Sequence, residues 1–125
     1  MDVKKLARQR LLQLETMEQA AQNLPGELAR LRLSGAGEAV CLPLQQRLDA
    51  AQLWVDTTRQ AMQVLSGEER LIAQRLFILP AKGNVQRLCQ ELGVEQSSVY
   101  RRRDRMLRKL GQALFGEDSL EEGSV

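Results

Sequence analysis

Val3, Ala7, Leu14, Met17, Ala21 and Leu24 recur at alternating four- and three-residue steps, with Arg10 the one polar member of the stripe. That spacing predicts an amphipathic helix over 3–24, stopped by Pro25-Gly26. A second stripe, Leu44, Leu48, Ala51, Val55, Thr58, Met62 and Leu65, keeps the same alternation, with Pro43 expected in its first turn. Two helices of near-equal length, separated by a Pro/Gly/Ser-containing segment over 25–42, are expected to fold back as an antiparallel hairpin with facing stripes buried. Within that segment Leu28 to Leu33 alternates like a strand but has no second strand to pair with, so it reads as a loop or a short helix.

From Ser66 the pattern shortens. Ser66-Gly67-Glu68-Glu69 has the spacing of a capping box and should start a third helix carrying Leu71, Ile72, Leu76 and Leu79, ended by Pro80 and Gly83. Asn84 is expected to cap a fourth helix of about two turns, whose Val85, Leu88, Cys89 and Leu92 fall at i, i+3, i+4 and i+7. Gly93 supplies the left-handed exit, Val94 turns inward, and a long fifth helix runs over 96–115. The predicted fold class is therefore all-α. Its expected division is a helical hairpin over 1–64 for interaction or oligomerisation, a second helical unit over 65–116, and a disordered acidic tail over 117–125.

Composition narrows the chemistry. Histidine is absent from the 125 residues, so histidine-based triads and histidine-ligated zinc are excluded. Aromatic residues make up 3%, too few for a base-stacking platform on single strands. Cys41 and Cys89 lie far apart, without CxxC spacing, which suggests neither zinc thiolates nor a disulfide scaffold and points to a reducing cytoplasm. No signal peptide, transmembrane span or membrane partner is expected, and neither cofactor, metal nor enzymatic activity.

Charge is divided unevenly along the chain. Residues 1–64 hold eight bases against seven acids, 65–116 hold ten against five, and 117–125 hold four acids and no base. Arg101, Arg102, Arg103, Arg105, Arg108 and Lys109 lie within nine residues opposed only by Asp104, an electrostatic footprint for a polyanion. A short helix, a glycine turn and a longer arginine-rich helix is the pattern of a helix-turn-helix reader of double-stranded DNA. Gln96, Ser97, Ser98 and Arg101 fall in the first two turns of the second helix, the part that reaches base edges. Gln suits adenine and Arg suits guanine by bidentate geometry. Tyr100, Arg102, Arg105 and Lys109 are assigned to phosphates, with Arg103, Arg108, Lys82 and Arg87 as further candidates. Arg102 and Arg103 occupy steps of the inner face, so one of them must snorkel or make an ion pair. Glu95 precedes the helix and offers it no Ser or Thr cap.

The segments Leu65-Ser66-Gly67-Glu68-Glu69-Arg70-Leu71-Ile72, Gln90-Glu91-Leu92-Gly93-Val94, Ser98-Val99-Tyr100-Arg101 and Met106-Leu107-Arg108-Lys109-Leu110 resemble the region-four helix-turn-helix of bacterial sigma factors. They are most similar to the phage and prophage regulators of the ArpU and RinA late-gene group. The resemblance covers residues 65–115. It implies a sequence-specific regulator of phage or prophage transcription that docks helix 96–115 into the major groove, with RNA polymerase as a second partner. A homodimer through the N-terminal helices is also admitted by the sequence. Two other readings fit the same pattern, a small terminase subunit of phage packaging and a helical adaptor whose arginines meet an acidic protein surface.

Overall fold

The computed structural model describes residues 2–116, and the tail expected over 117–125 lies outside them. Among the described residues every regular element is helical: α1 Val3–Leu33, α2 Glu38–Ala61, α3 Gly67–Ala73, α4 Asn84–Leu92 and α5 Gln96–Phe115. No helix of the described residues is long and apolar enough to cross a membrane.

α1 is longer than its stripe predicts, and α2 is shifted: it ends at Ala61, with Met62–Val64 in a 3-10 turn and Leu65 beyond it. α1 does not stop at Pro25-Gly26 but runs on to Leu33, and the segment left between loop and helix is helical throughout. Proline inside a helix removes one backbone bond and costs about 3 kcal/mol. Here Pro25 is exposed, while the turns beyond it carry Leu28 into the interior, 4% exposed. α2 likewise begins at Glu38 rather than at Pro43, and its early turn buries Cys41. Burial of the extra turns outweighs the local defect. The connection shrinks from the expected 25–42 to Ser34–Gly37 and closes by a left-handed Gly35 at φ 85°. Ala36 N–H donates to Leu31 O at 3.0 Å and Gly35 N–H to Arg32 O at 3.1 Å, the two bonds that tie off a helix end before a reversal.

Cross-links join the last turn of α1 to the early turns of α2, and the first half of α1 to the late turns of α2. Arg32 donates to Gln45, Arg59 pairs with Glu18, and Arg10 donates to Thr58 at 3.1 Å. The pair is therefore antiparallel. Leu14, Leu48, Ala51, Thr58 and Met62 of the predicted stripes are buried and Met17, Leu24 and Val55 are half-buried, as the spacing required. Arg10, the polar member, is placed beneath aromatic rings, its guanidinium 4.7 Å from the Trp54 centroid and 5.7 Å from that of Phe115. Burial lowers its pKa from the usual guanidinium value.

The capping box forms as predicted. Glu69 N–H donates to Ser66 Oγ at 3.1 Å and Ser66 N–H to the Glu69 carboxylate at 2.9 Å. α3 then widens into one π-helical turn over Gln74–Ile78, closed by Leu79 N–H donating to Gln74 O at 3.0 Å, before Pro80 ends it. At α4 the cap differs from expectation. Gly83, left-handed at φ 74°, holds the N-cap position, and Asn84 is the first helical residue. The Asn84 amide instead donates to the Arg75 carbonyl at the end of α3, and with Arg75–Glu91 at 3.1 Å it joins α3 to α4. Gly93 exits α4 at φ 66° with Val94 N–H on Cys89 O at 3.1 Å.

One hydrophobic cluster gathers residues from both ends of the chain. Ala7, Leu11 and Leu14 of α1 meet Ile72 of α3, Leu88 of α4 and Val99, Met106 and Leu110 of α5. The residues expected as two units thus share a core. α5 approaches α1 closely at Gly111, where an added Cβ would lie 2.6 Å from Val3 O.

Candidate nucleic-acid interface

Helical geometry sorts the side chains of α5 into strips. Val99, Met106 and Leu110 face the core, and Ser97, Arg101, Arg105 and Arg108 share the opposite, exposed side at spacings of four, four and three. Among the described residues Arg101, Arg105 and Arg108 have no hydrogen-bonding or ion-pair partner within the chain. Three guanidinium groups on consecutive turns are thus exposed, and no bond to another described residue must break before they meet an anion.

The two flanks of that side are unlike. Toward α3, Arg102 is half-buried. It bonds Ser98 Oγ at 3.0 Å and pairs with Glu68, the ion pair that its inner-face position demanded. Lys109 donates to Glu69 at 2.7 Å. Burial raises the Glu69 pKa, but Lys109 and the Ser66 amide and hydroxyl together overcome that and hold it below the usual glutamate range. This flank forms a groove of about 470 Å³ lined by Ser66, Glu68, Glu69, Ser98, Arg102 and Lys109 with Arg101 and Arg105 at its rim. Arg102 and Lys109 are already matched by α3 carboxylates, and only Arg101 and Arg105 at the rim are not.

Toward α1, Gln96 donates to the Tyr100 hydroxyl at 2.8 Å, and the Arg103 guanidinium lies 4.9 Å from the Tyr100 ring centroid while bonding Asp104 at 3.0 Å. Of the eight predicted site residues, Ser97, Arg101 and Arg105 point outward without partners among the described residues. Gln96 is exposed but bonded to half-buried Tyr100, and Ser98, Arg102 and Lys109 are engaged against α3. Lys82 and Arg87 are exposed near the start of α4. No side chain of Glu95 caps α5, as expected from its identity.

Sequence reasoning passed over Lys4, Lys5 and Arg8. Their charge was visible, but only the fold shows that the first turns of α1 lie beside Tyr100 and Arg103. Among the described residues no group of three potential metal ligands comes together. No family model, curated protein or solved structure matches the chain.

The Glu69 contacts give a prediction for stability. Because its folded pKa is depressed, its contribution is fully present above the ordinary glutamate range and is lost as pH falls through the folded value. Glu69→Gln keeps the capping-box acceptor but removes its charge, and should cost about 1 kcal/mol near neutrality, mostly through the Lys109 bond. Denaturant titrations at stepped pH should show the two proteins converging in acid; a difference independent of pH would contradict the assignment.

Proposed function

We propose that this chain is a non-enzymatic, sequence-specific binder of double-stranded DNA that regulates transcription and inserts α5 into the major groove. One observation carries the reading. The outward side of α5 holds Arg101, Arg105 and Arg108 with no partner among the described residues, immediately after a short helix and a left-handed glycine turn. That combination fits the helix-turn-helix mode, in which α4 crosses the backbone and the first turns of the next helix meet base edges. Ser97 and Arg101 lie in those turns and face outward, so they carry base recognition, with Gln96 beside them. Arg105 and Arg108 lie one and two turns further on and suit phosphates. Lys109 and Arg102 contribute to phosphate binding only by leaving Glu69 and Glu68.

The resemblance to sigma region four and to the ArpU and RinA group gives the biological setting of this proposal, control of phage or prophage genes alongside RNA polymerase. Footprinting of the purified chain on DNA from its own genomic neighbourhood tests it. A discrete protected site, with affinity falling steeply as salt rises, is the expected result. Equal affinity for duplex and single strands, or binding insensitive to salt, would overturn it.

A further inference from the structure

Resting on the DNA-binding reading, we infer that the first turns of α1 form a second phosphate-binding surface, with Lys5 and Arg8 as its principal contacts and Lys4 beside them. The N-terminal hairpin is then part of the DNA interface, not only an interaction element.

The starting point is a groove of about 530 Å³ between α1 and α5. Lys4, Lys5 and Arg8 line one wall, Tyr100, Arg103 and Asp104 the other, and Phe77, Val85 and Leu107 lie among the remaining lining residues. Its two acids are outnumbered by four cations, Lys4, Lys5, Arg8 and Arg103. Asp2 caps α1 by accepting from the Lys4 and Lys5 amides at 3.1 and 3.2 Å, and Asp104 is paired with Arg103. Lys5 and Arg8 are exposed, Lys4 is half-buried, and none of the three ends in an ion pair among the described residues. The groove therefore presents unmatched positive charge.

Its position decides the partner. Tyr100, Asp104 and Arg108 form a row of four-residue steps on α5, adjacent to the Ser97, Arg101 and Arg105 row. A helix lying in a major groove about 12 Å wide has a phosphate strand on either side. On the α3 side Arg102 and Lys109 are matched by Glu68 and Glu69, which leaves Arg101 and Arg105 of the outward row to serve that strand. On the α1 side Lys4, Lys5 and Arg8 form no ion pair among the described residues, and the one acid near them, Asp2, is turned to the helix amides. The strand on that side is the one that gains most from neutralisation, and counterion release makes the gain readable in salt dependence. The close packing of Gly111 on Val3 fixes the first turn of α1 against α5, so these cations are carried on a rigid helix end.

The test uses the full-length chain and a random-sequence duplex, with the dissociation constant measured by fluorescence anisotropy across a salt series. Lys5→Gln with Arg8→Gln should lower the slope of log K against log salt by about two, at roughly 0.9 per phosphate contact, and Lys5→Arg with Arg8→Lys should restore it. Arg105→Ala with Arg108→Ala is measured alongside, to read the α5 face independently. If the α5 pair lowers the slope and the α1 pair does not, the inference is overturned and the DNA-binding reading stands. If only the α1 pair lowers it, the inference stands and the role of α5 falls. A wild-type chain without salt-dependent binding overturns both. Both α1 positions are exposed, and unchanged circular dichroism and melting confirm that a lost slope is not lost fold.

Discussion

Arg101→Ala is expected to weaken binding to the preferred duplex by about 1–3 kcal/mol and to relax selection at one base pair, leaving random-sequence affinity far less affected. The magnitude follows from geometry. Arg101 is exposed in the second turn of α5, has no partner among the described residues, and shares its row with Ser97 and Arg105. A guanidinium so placed can form two parallel bonds to guanine O6 and N7, and alanine removes both. A phosphate contact would behave otherwise, weakening every sequence alike. Parallel binding-site selections on wild type and variant at one salt concentration separate the two. Unchanged preference with uniformly weaker binding would move Arg101 to the backbone.

The second large effect concerns stability and has opposite signs at two glycines. At Gly111 a Cβ would lie 2.6 Å from Val3 O and 2.8 Å from Val3 Cβ, and the nearest atom is backbone that cannot swing aside. At Gly26, also helical, nothing lies within 4 Å. Alanine in a helix gains about 0.5–1 kcal/mol over glycine by reducing the freedom of the unfolded chain. Gly26→Ala should therefore stabilise by that amount. Gly111→Ala gains the same term but must push α1 from α5, an overpacking cost of about 1–3 kcal/mol, and Gly111→Leu should lose more. Thermal melts should move in opposite directions for the two alanine variants. A stabilised Gly111→Ala would show that α1 does not sit on α5 this closely.

What could be read from the sequence was what repeats locally. The stripes of α1 and α2, the Ser66–Glu69 capping box and the left-handed Gly93 each depend on residues within a turn or two of one another. The boundaries at Pro25 and Pro43 were misread for a physical reason. A proline's cost is local and visible, whereas burial of Leu28 and Cys41 in the same hairpin is tertiary and is not. Asn84 shows the same split: its side chain suits a cap, but Gly83 takes that place and frees the amide to reach the Arg75 carbonyl. For the candidate interface, the arginine cluster was legible as charge. Its division into free and engaged members was not, because it depends on Glu68 and Glu69, more than thirty residues away. The convergence of Lys4, Lys5 and Arg8 on α5 was hidden likewise, since it needs the two ends of the chain to meet.

The central claim, that the outward side of α5 meets duplex DNA, is tested most directly by site-specific photocrosslinking. Ser97 is exposed on that side, and Leu33 is 90% exposed at the far end of α1. α1 has 31 residues, so Leu33 lies roughly 45 Å along the helix from the turn that packs on α5. A photoreactive side chain at Ser97 should attach to duplex DNA in high yield, lost as salt is raised, and the same group at Leu33 should not. Crosslinking from Leu33 with none from Ser97 would contradict the account.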